Sequence, residues 1–306
     1  MMKKLFILII LFLVVGIGVY FALLKSRPES VNDNKLQITA SFYPYYFFAS
    51  QIGGNKVNVV NITPAGAEPH DYEPTSGDIV QIQTSALLIL NGTVEPWGNK
   101  IQDDLKGKNT RVLVAGKGLF TQKVADENGK KSTDPHIWLS PNLAKAQVKS
   151  ILNEFIQIDP ENKNYYTANT NKLLNDLDNL DKDYKNGLRT CQKKDIVTSH
   201  AAFGYLAVDY GLVQVPITGL SPDAEPSLKQ LANIADFVKK NNIKYIFFES
   251  LVSPKLAQTL ASETGSQTMV LDPLEGLTPD ALVKGENYLT VMRQNLHNLE
   301  VALDCI

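Results

Sequence analysis

The apolar and polar positions divide this chain into stretches of different character. Residues 5–24 form an unbroken apolar run behind Lys3 and Lys4, about the 20 residues that a bilayer-spanning helix needs. Residues 25–35 are polar and without periodicity, and read as a linker. Short β-like runs follow at Leu36–Ala40, Val57–Ile62, Ala86–Leu90 and Arg111–Val114, with a helix over Gly77–Ser85 after the start signal Glu73-Pro74-Thr75-Ser76. The rhythm then breaks. From Pro141 to about Leu188 no strand is predicted, and Leu173, Leu177, Leu180, Tyr184 and Leu188 recur at helical spacing. Pro160, with Asp159 as N-cap, opens a helix predicted to reach Gly187, about 40 Å at 1.5 Å per residue.

Past that helix the alternation resumes. Strands are predicted at Asp195–Ser199, Leu212–Ile217, Lys244–Phe248 and Thr268–Leu271. Helices fit at Ala201–Asp209, Ser227–Asn241, Pro254–Thr264 and Pro279–Leu303. Strands alternating with helices predict an α/β fold with mostly parallel sheets. The organisation expected is a lobe over 36–140, a helical segment over 141–190 containing the long linking helix, and a second lobe over 191–306. The N-terminal segment, residues 1–24, stands as a membrane anchor or signal.

Composition narrows the function classes. A net charge of −2 lacks the basic face that nucleic acid requires. No small-x-small cleavage site is visible in Val19–Leu24, and no cysteine nearby could take a lipid, which favours a retained anchor over a cleaved signal. Lys25 and Arg27 nearly balance Lys3 and Lys4, so orientation stays open. The two cysteines, Cys191 and Cys305, are too far apart for a zinc-knuckle spacing; in an exported domain they read as one disulfide, with two buried thiols as the alternative.

The chain has four histidines. Three lie in distinctive settings: Glu68-Pro69-His70-Asp71, Asp134-Pro135-His136-Ile137 and Thr198-Ser199-His200-Ala201. Asp272 ends another apolar run, in Met269–Pro273. Three imidazoles and one carboxylate suit a divalent transition metal, zinc first. These four are spread almost evenly, two in each half, so they can meet only where two lobes face each other. His200 and Asp272 fall just after predicted strands, at the edge where open α/β sheets bind ligands. Pro69 and Pro135 stiffen the backbone leading into each histidine. Asp71, Asp134 and Glu249 are candidates to accept a hydrogen bond from the non-ligating ring nitrogens. His297 receives no role, and His200 has the alternative of opening the helix before Ala201.

At these residues the chain resembles the zinc and manganese solute-binding proteins of ABC importers. The likeness rests on Ala67–Pro74, Asp134–Pro141, Ser199–Tyr205, Gly219–Pro222, Phe247–Glu249 and Leu271–Leu274, and runs from about Leu36 to the C-terminus. It implies two α/β lobes joined by one long rigid helix, with the metal in the cleft between them. His70 and His136 would come from the first lobe, His200 and Asp272 from the second. Manganese-binding members typically carry a glutamate at the third position; His200 there shifts the preference toward zinc. The segment Gln122–Thr133 lacks the histidine-rich loop of many zinc members.

The expected function is capture, not catalysis: an extracytoplasmic monomer that binds Zn²⁺ and presents it to an ABC permease, tethered by its N-terminal helix or released after signal cleavage. Mn²⁺ is the alternative ligand within the same family. The rival class is a zinc hydrolase using Glu68 or Glu249 to activate water, but there is no HExxH.

Overall fold

A computed structural model describes residues 35–125 and 129–306. The expected N-terminal anchor lies outside the described residues. Among the described residues no helix is long and apolar enough to cross a membrane.

The first half runs β1 (Leu36–Ala40), α1 (Tyr43–Gly53), β2 (Val57–Asn61), α2 (Ser76–Thr84), β3 (Leu87–Leu90), α3 (Gly98–Asp104) and β4 (Arg111–Val114). A short antiparallel hairpin follows, β5 (Lys123–Ala125) with β6 (Lys131–Thr133). Two long helices come next, α4 (Pro141–Ile158) and α5 (Lys163–Gly187). The second half comprises β7 (Asp195–Thr198), α6 (Gly204–Tyr210), β8 (Val213–Pro216), α7 (Leu228–Lys240), β9 (Tyr245–Phe248), α8 (Lys255–Thr264), β10 (Gln267–Val270), α9 (Pro279–Val283) and α10 (Tyr288–Ala302).

The four strands of each half pair in parallel throughout. Their spatial orders are β2-β1-β3-β4 and β10-β9-β7-β8. Counted from the first strand of each half, both follow the same order. The first strand sits inside, flanked by the second and third, so each sheet has a switch point where loops diverge at its carboxyl edge. All four β3 residues are fully buried, consistent with a parallel sheet covered on both faces.

Local signals explain the helix starts. Thr75 and Asp78 form a reciprocal capping box on α2. Ser140 caps α4 by accepting the Leu143 N–H, with Pro141 at the first helical position. The 25-residue α5 is about 37 Å long, and its stripe of Leu173, Leu177, Leu180 and Tyr184 is buried. It starts later than the sequence suggests because Pro160–Asn162 forms a 3₁₀ turn. The Asp159 carboxylate accepts from Asn162 Nδ2 and the Tyr166 hydroxyl and leaves the helix N–H groups uncapped.

The single helix expected over Pro279–Leu303 is two. Gly285 at φ 78° ends the first, and Asn287 caps the second by accepting from Leu289 and Thr290. One continuous apolar cluster joins Ile38 and Phe48 of the first half, through Ile151 and Leu177 of the long helices, to Leu271, Leu274 and Leu299. Cys191 and Cys305 are bonded, across a separation of 114 residues, which ties the C-terminus to the segment that leads into β7.

Candidate metal centre

Loops at the carboxyl edges of the two sheets carry the candidate ligands. His70 sits in the long connection between β2 and α2, which is anchored across the cleft where Gly66 N–H donates to the Leu277 carbonyl. Its own backbone N–H donates to Glu68. His136 follows Pro135, whose carbonyl is held by Asn91 Nδ2 at 3.0 Å. His200 lies in the loop directly after β7, not in a helix; its carbonyl accepts from the Thr198 hydroxyl and Gln214 Nε2.

These three rings converge on one carboxylate, Glu275. Its Oε1 lies 3.1 Å from His70 Nε2, 3.1 Å from His136 Nε2 and 3.3 Å from His200 Nε2. The His136 and His200 Nε2 atoms are 3.3 Å apart. One ligand atom from each of His70, His136, His200 and Glu275 lies within 4.8 Å of every other. A tetrahedron with zinc–nitrogen bonds of about 2.0–2.1 Å has edges of about 3.3–3.4 Å, close to the 3.1–3.3 Å of four of the six ligand-atom pairs here. Among the described residues Glu275 Oε2 is buried without a hydrogen-bond partner, a free acceptor turned to no protein donor. This donor set fits zinc.

Two rings are fixed by carboxylates at their other nitrogen. Asp134 Oδ1 lies 2.8 Å from His136 Nδ1 and also takes the His136 backbone N–H at 3.0 Å. Glu249 Oε1 lies 2.6 Å from His200 Nδ1. A carboxylate can only accept, so each ring donates from Nδ1 and leaves Nε2 facing the centre. Two of the three candidate acids, Asp134 and Glu249, thus lie against the Nδ1 atoms of His136 and His200. Asp71 does not: it is exposed and faces Asp223, whose carboxyl it pushes upward.

The electrostatics reflect a crowded, dry site. Burial disfavours charge on His136, but hydrogen bonds to Asp134 and Glu275 outweigh it and raise the ring's pKa. His200 follows the same logic: burial opposes charge, and Glu249 and Glu275 carry its pKa well above the usual imidazole value. Burial would raise Glu275, yet the facing His200 and His70 hold it well below the ordinary carboxylate range. Burial, with Glu275 nearby, pushes Glu68 up to about 9.

The carboxylate in the converging group is Glu275, three residues beyond the expected Asp272. Asp272 is buried, but its Oδ1 accepts the Leu274 backbone N–H at 2.7 Å, and it is not part of the converging group. Burial raises its carboxyl to about 6. Between Asp272 and Glu275 the chain makes a left-handed turn at Leu274, φ 56°, a conformation costing a non-glycine residue roughly 1–2 kcal/mol. That turn carries Glu275 into the centre. The acid was present in the motif Asp272-Pro273-Leu274-Glu275, but spacing alone does not say which of two acids a tight turn presents.

Comparison with known proteins returns zinc-uptake and zinc-binding relatives. Residues 38–302 match the family described as ZnuA, zinc-uptake complex component A, periplasmic. The chain is 40% identical over 290 residues to the high-affinity zinc uptake system protein ZnuA of Bacillus subtilis, covering 91% of each. It is 41% identical over 283 residues to the zinc-binding lipoprotein AdcA of Streptococcus pneumoniae, covering 89% of this chain but 56% of that longer protein. The Zn(II)-bound ZnuA-like domain of S. pneumoniae AdcA superposes with a TM-score of 0.77 at 41% identity, covering 88% of this chain and 99% of the domain. With nearly its whole described length matched, the chain belongs to the ZnuA family of zinc-uptake components.

Proposed function

We propose that this chain captures Zn²⁺ outside the cytoplasmic membrane through His70, His136, His200 and Glu275, and presents it to an ABC permease. The observation that carries this reading is the convergence of three imidazole Nε2 atoms and one buried carboxylate oxygen within 4.8 Å of one another, with four of the six separations at 3.1–3.3 Å. Residues 36–140 and 191–306 supply two ligands each, with the helical segment 141–190 between them. A third imidazole in place of a carboxylate favours zinc over Mn²⁺.

Four protein ligands fill the tetrahedral shell and leave no open position for a reacting water, so the site holds cargo and does no hydrolysis. His136, His200 and Glu275 side chains are fully buried, while His70 is 10% exposed and stands at the rim. Metal enters past His70, whose loop closes the shell last. The apolar run at residues 5–24 tethers the receptor, which works as a monomer.

The test is metal content and competitive affinity of the purified full chain beside Glu275→Gln and His200→Glu. Tight one-to-one zinc, weakened by Glu275→Gln and shifted toward manganese by His200→Glu, supports the assignment. Absence of tight zinc in the wild type would sink it.

A further inference from the structure

The ligand loops of the two halves are joined by one buried hydrogen bond. Trp138, two residues beyond His136, is fully buried and donates its indole N–H to the Pro273 carbonyl at 2.7 Å. Pro273 lies two residues before Glu275, on the upstream side of the left-handed Leu274. The Trp138 ring also packs beside His136, with centroids 5.2 Å apart. Its own backbone carbonyl accepts from the Tyr288 hydroxyl, so the Trp138 main chain is held from the α10 side as well.

The N–H of the same Pro273–Leu274 peptide is held by Asp272. The carboxylate accepts the Leu274 N–H, while Asn295 fixes the Asp272 backbone twice, accepting its N–H and donating to its carbonyl. A left-handed leucine persists only where its neighbours over-determine it. Here the peptide preceding Leu274 is pinned at its carbonyl by an indole from the first half and at its N–H by a buried acid.

We infer that Trp138 and Asp272 are positioning residues that hold the Leu274 turn and thereby aim Glu275 at the three histidines. This rests on the zinc reading of the site and adds to it. Asp272 acts as a hydrogen-bond acceptor for the backbone, and Trp138 sets the distance between His136 and Glu275. An asparagine at 272 keeps the acceptor oxygen but would be a poor metal ligand; a phenylalanine at 138 keeps an aromatic ring but lacks the N–H.

The experiment measures zinc affinity, zinc release under a chelator chase, and the zinc-induced rise in Tm. It compares full-length wild type, Asp272→Asn, Asp272→Ala, Trp138→Phe and Glu275→Gln. Tyr166→Phe, which removes a hydroxyl bond to Asp159 away from the site, controls for plain loss of stability. The expected results are affinity within about twofold of wild type for Asp272→Asn, and release about tenfold faster for Trp138→Phe, the worth of one buried hydrogen bond. The zinc-induced Tm rise should shrink in Trp138→Phe and stay unchanged in Tyr166→Phe. Asp272→Asn as weak as Glu275→Gln would make Asp272 a ligand and overturn the inference, as would wild-type release from Trp138→Phe. A wild type that takes no zinc would instead remove the metal reading beneath it.

Discussion

Glu249→Gln isolates the contribution of a supporting carboxylate. Glu249 is 3% exposed at its side chain and meets His200 Nδ1 at 2.6 Å. Glutamine keeps the length and an acceptor oxygen, so the ring keeps its orientation while the acceptor loses its charge. A hydrogen bond to a charged group contributes about 1.5–3 kcal/mol and a neutral one about 0.5–1.5. The difference, about 1–1.5 kcal/mol, lowers the electron-donating strength of His200 Nε2 and predicts a loss of zinc affinity of roughly 5- to 15-fold at pH 8, overlapping the lower end of the 10- to 100-fold range for such partners.

The pH dependence carries the sharper test. Glu249 is among the groups that raise the His200 pKa in the metal-free protein, so zinc must displace a proton there near neutrality. Removing the charge lowers that pKa and weakens the competition. The variant's affinity deficit should therefore narrow as pH falls from 8 toward 6.5. Competition against a chelator of known affinity, repeated across that window, reads both effects. A deficit below twofold at pH 8, or one that widens as pH falls, would refute the reasoning.

In the wild type, zinc affinity should fall with decreasing pH from above 6.5, because His136 and His200 are both raised when metal-free; a flat profile between pH 5 and 7.5 would exclude these ligands. The metal-free protein has the opposite trend in stability from these two rings. Their folded pKa values exceed the unfolded one, so the stabilisation is complete below about pH 6.5 and lost as pH rises through the folded values, and the zinc-induced Tm rise should grow with pH in calorimetry. Reducing the Cys191–Cys305 bond, which closes a 114-residue separation, should cost about 4–5 kcal/mol in the chain-entropy model. It should lower Tm in reductant while zinc stoichiometry stays at one. His297→Ala, on the exposed face of α10, should leave zinc affinity within twofold.

Strands were the most legible elements, because short apolar runs bounded by polar residues leave few alternatives: Leu36–Ala40 and Arg111–Val114 match to the residue. Helix α1 was not legible. Its sequence YPYYFFASQIG is buried on almost every side, so it lacks the polar stripe that reveals helical period. The three converging histidines stood out through rarity and their stiff local motifs. Glu275 did not, because the turn presenting it is fixed by Trp138, 135 positions earlier in the chain. Asp71 was misread for a related reason. Adjacency to His70 in sequence says nothing about where a side chain points, and here it meets Asp223 across the rim.

The unbroken apolar cluster that runs from the first sheet through the long helices to the second bears on how a loaded receptor is told from an empty one. Swinging the halves apart would tear that core and expose fully buried residues such as Trp138 and Leu271, at a cost far above what one metal ion's loop contacts supply. The packing of residues 36–306 should therefore stay the same with and without zinc. Any machinery that discriminates cargo from no cargo would then read local differences at the rim near His70, whose side chain is 10% exposed, not silhouette. A permease that waited for a change of shape would wait indefinitely.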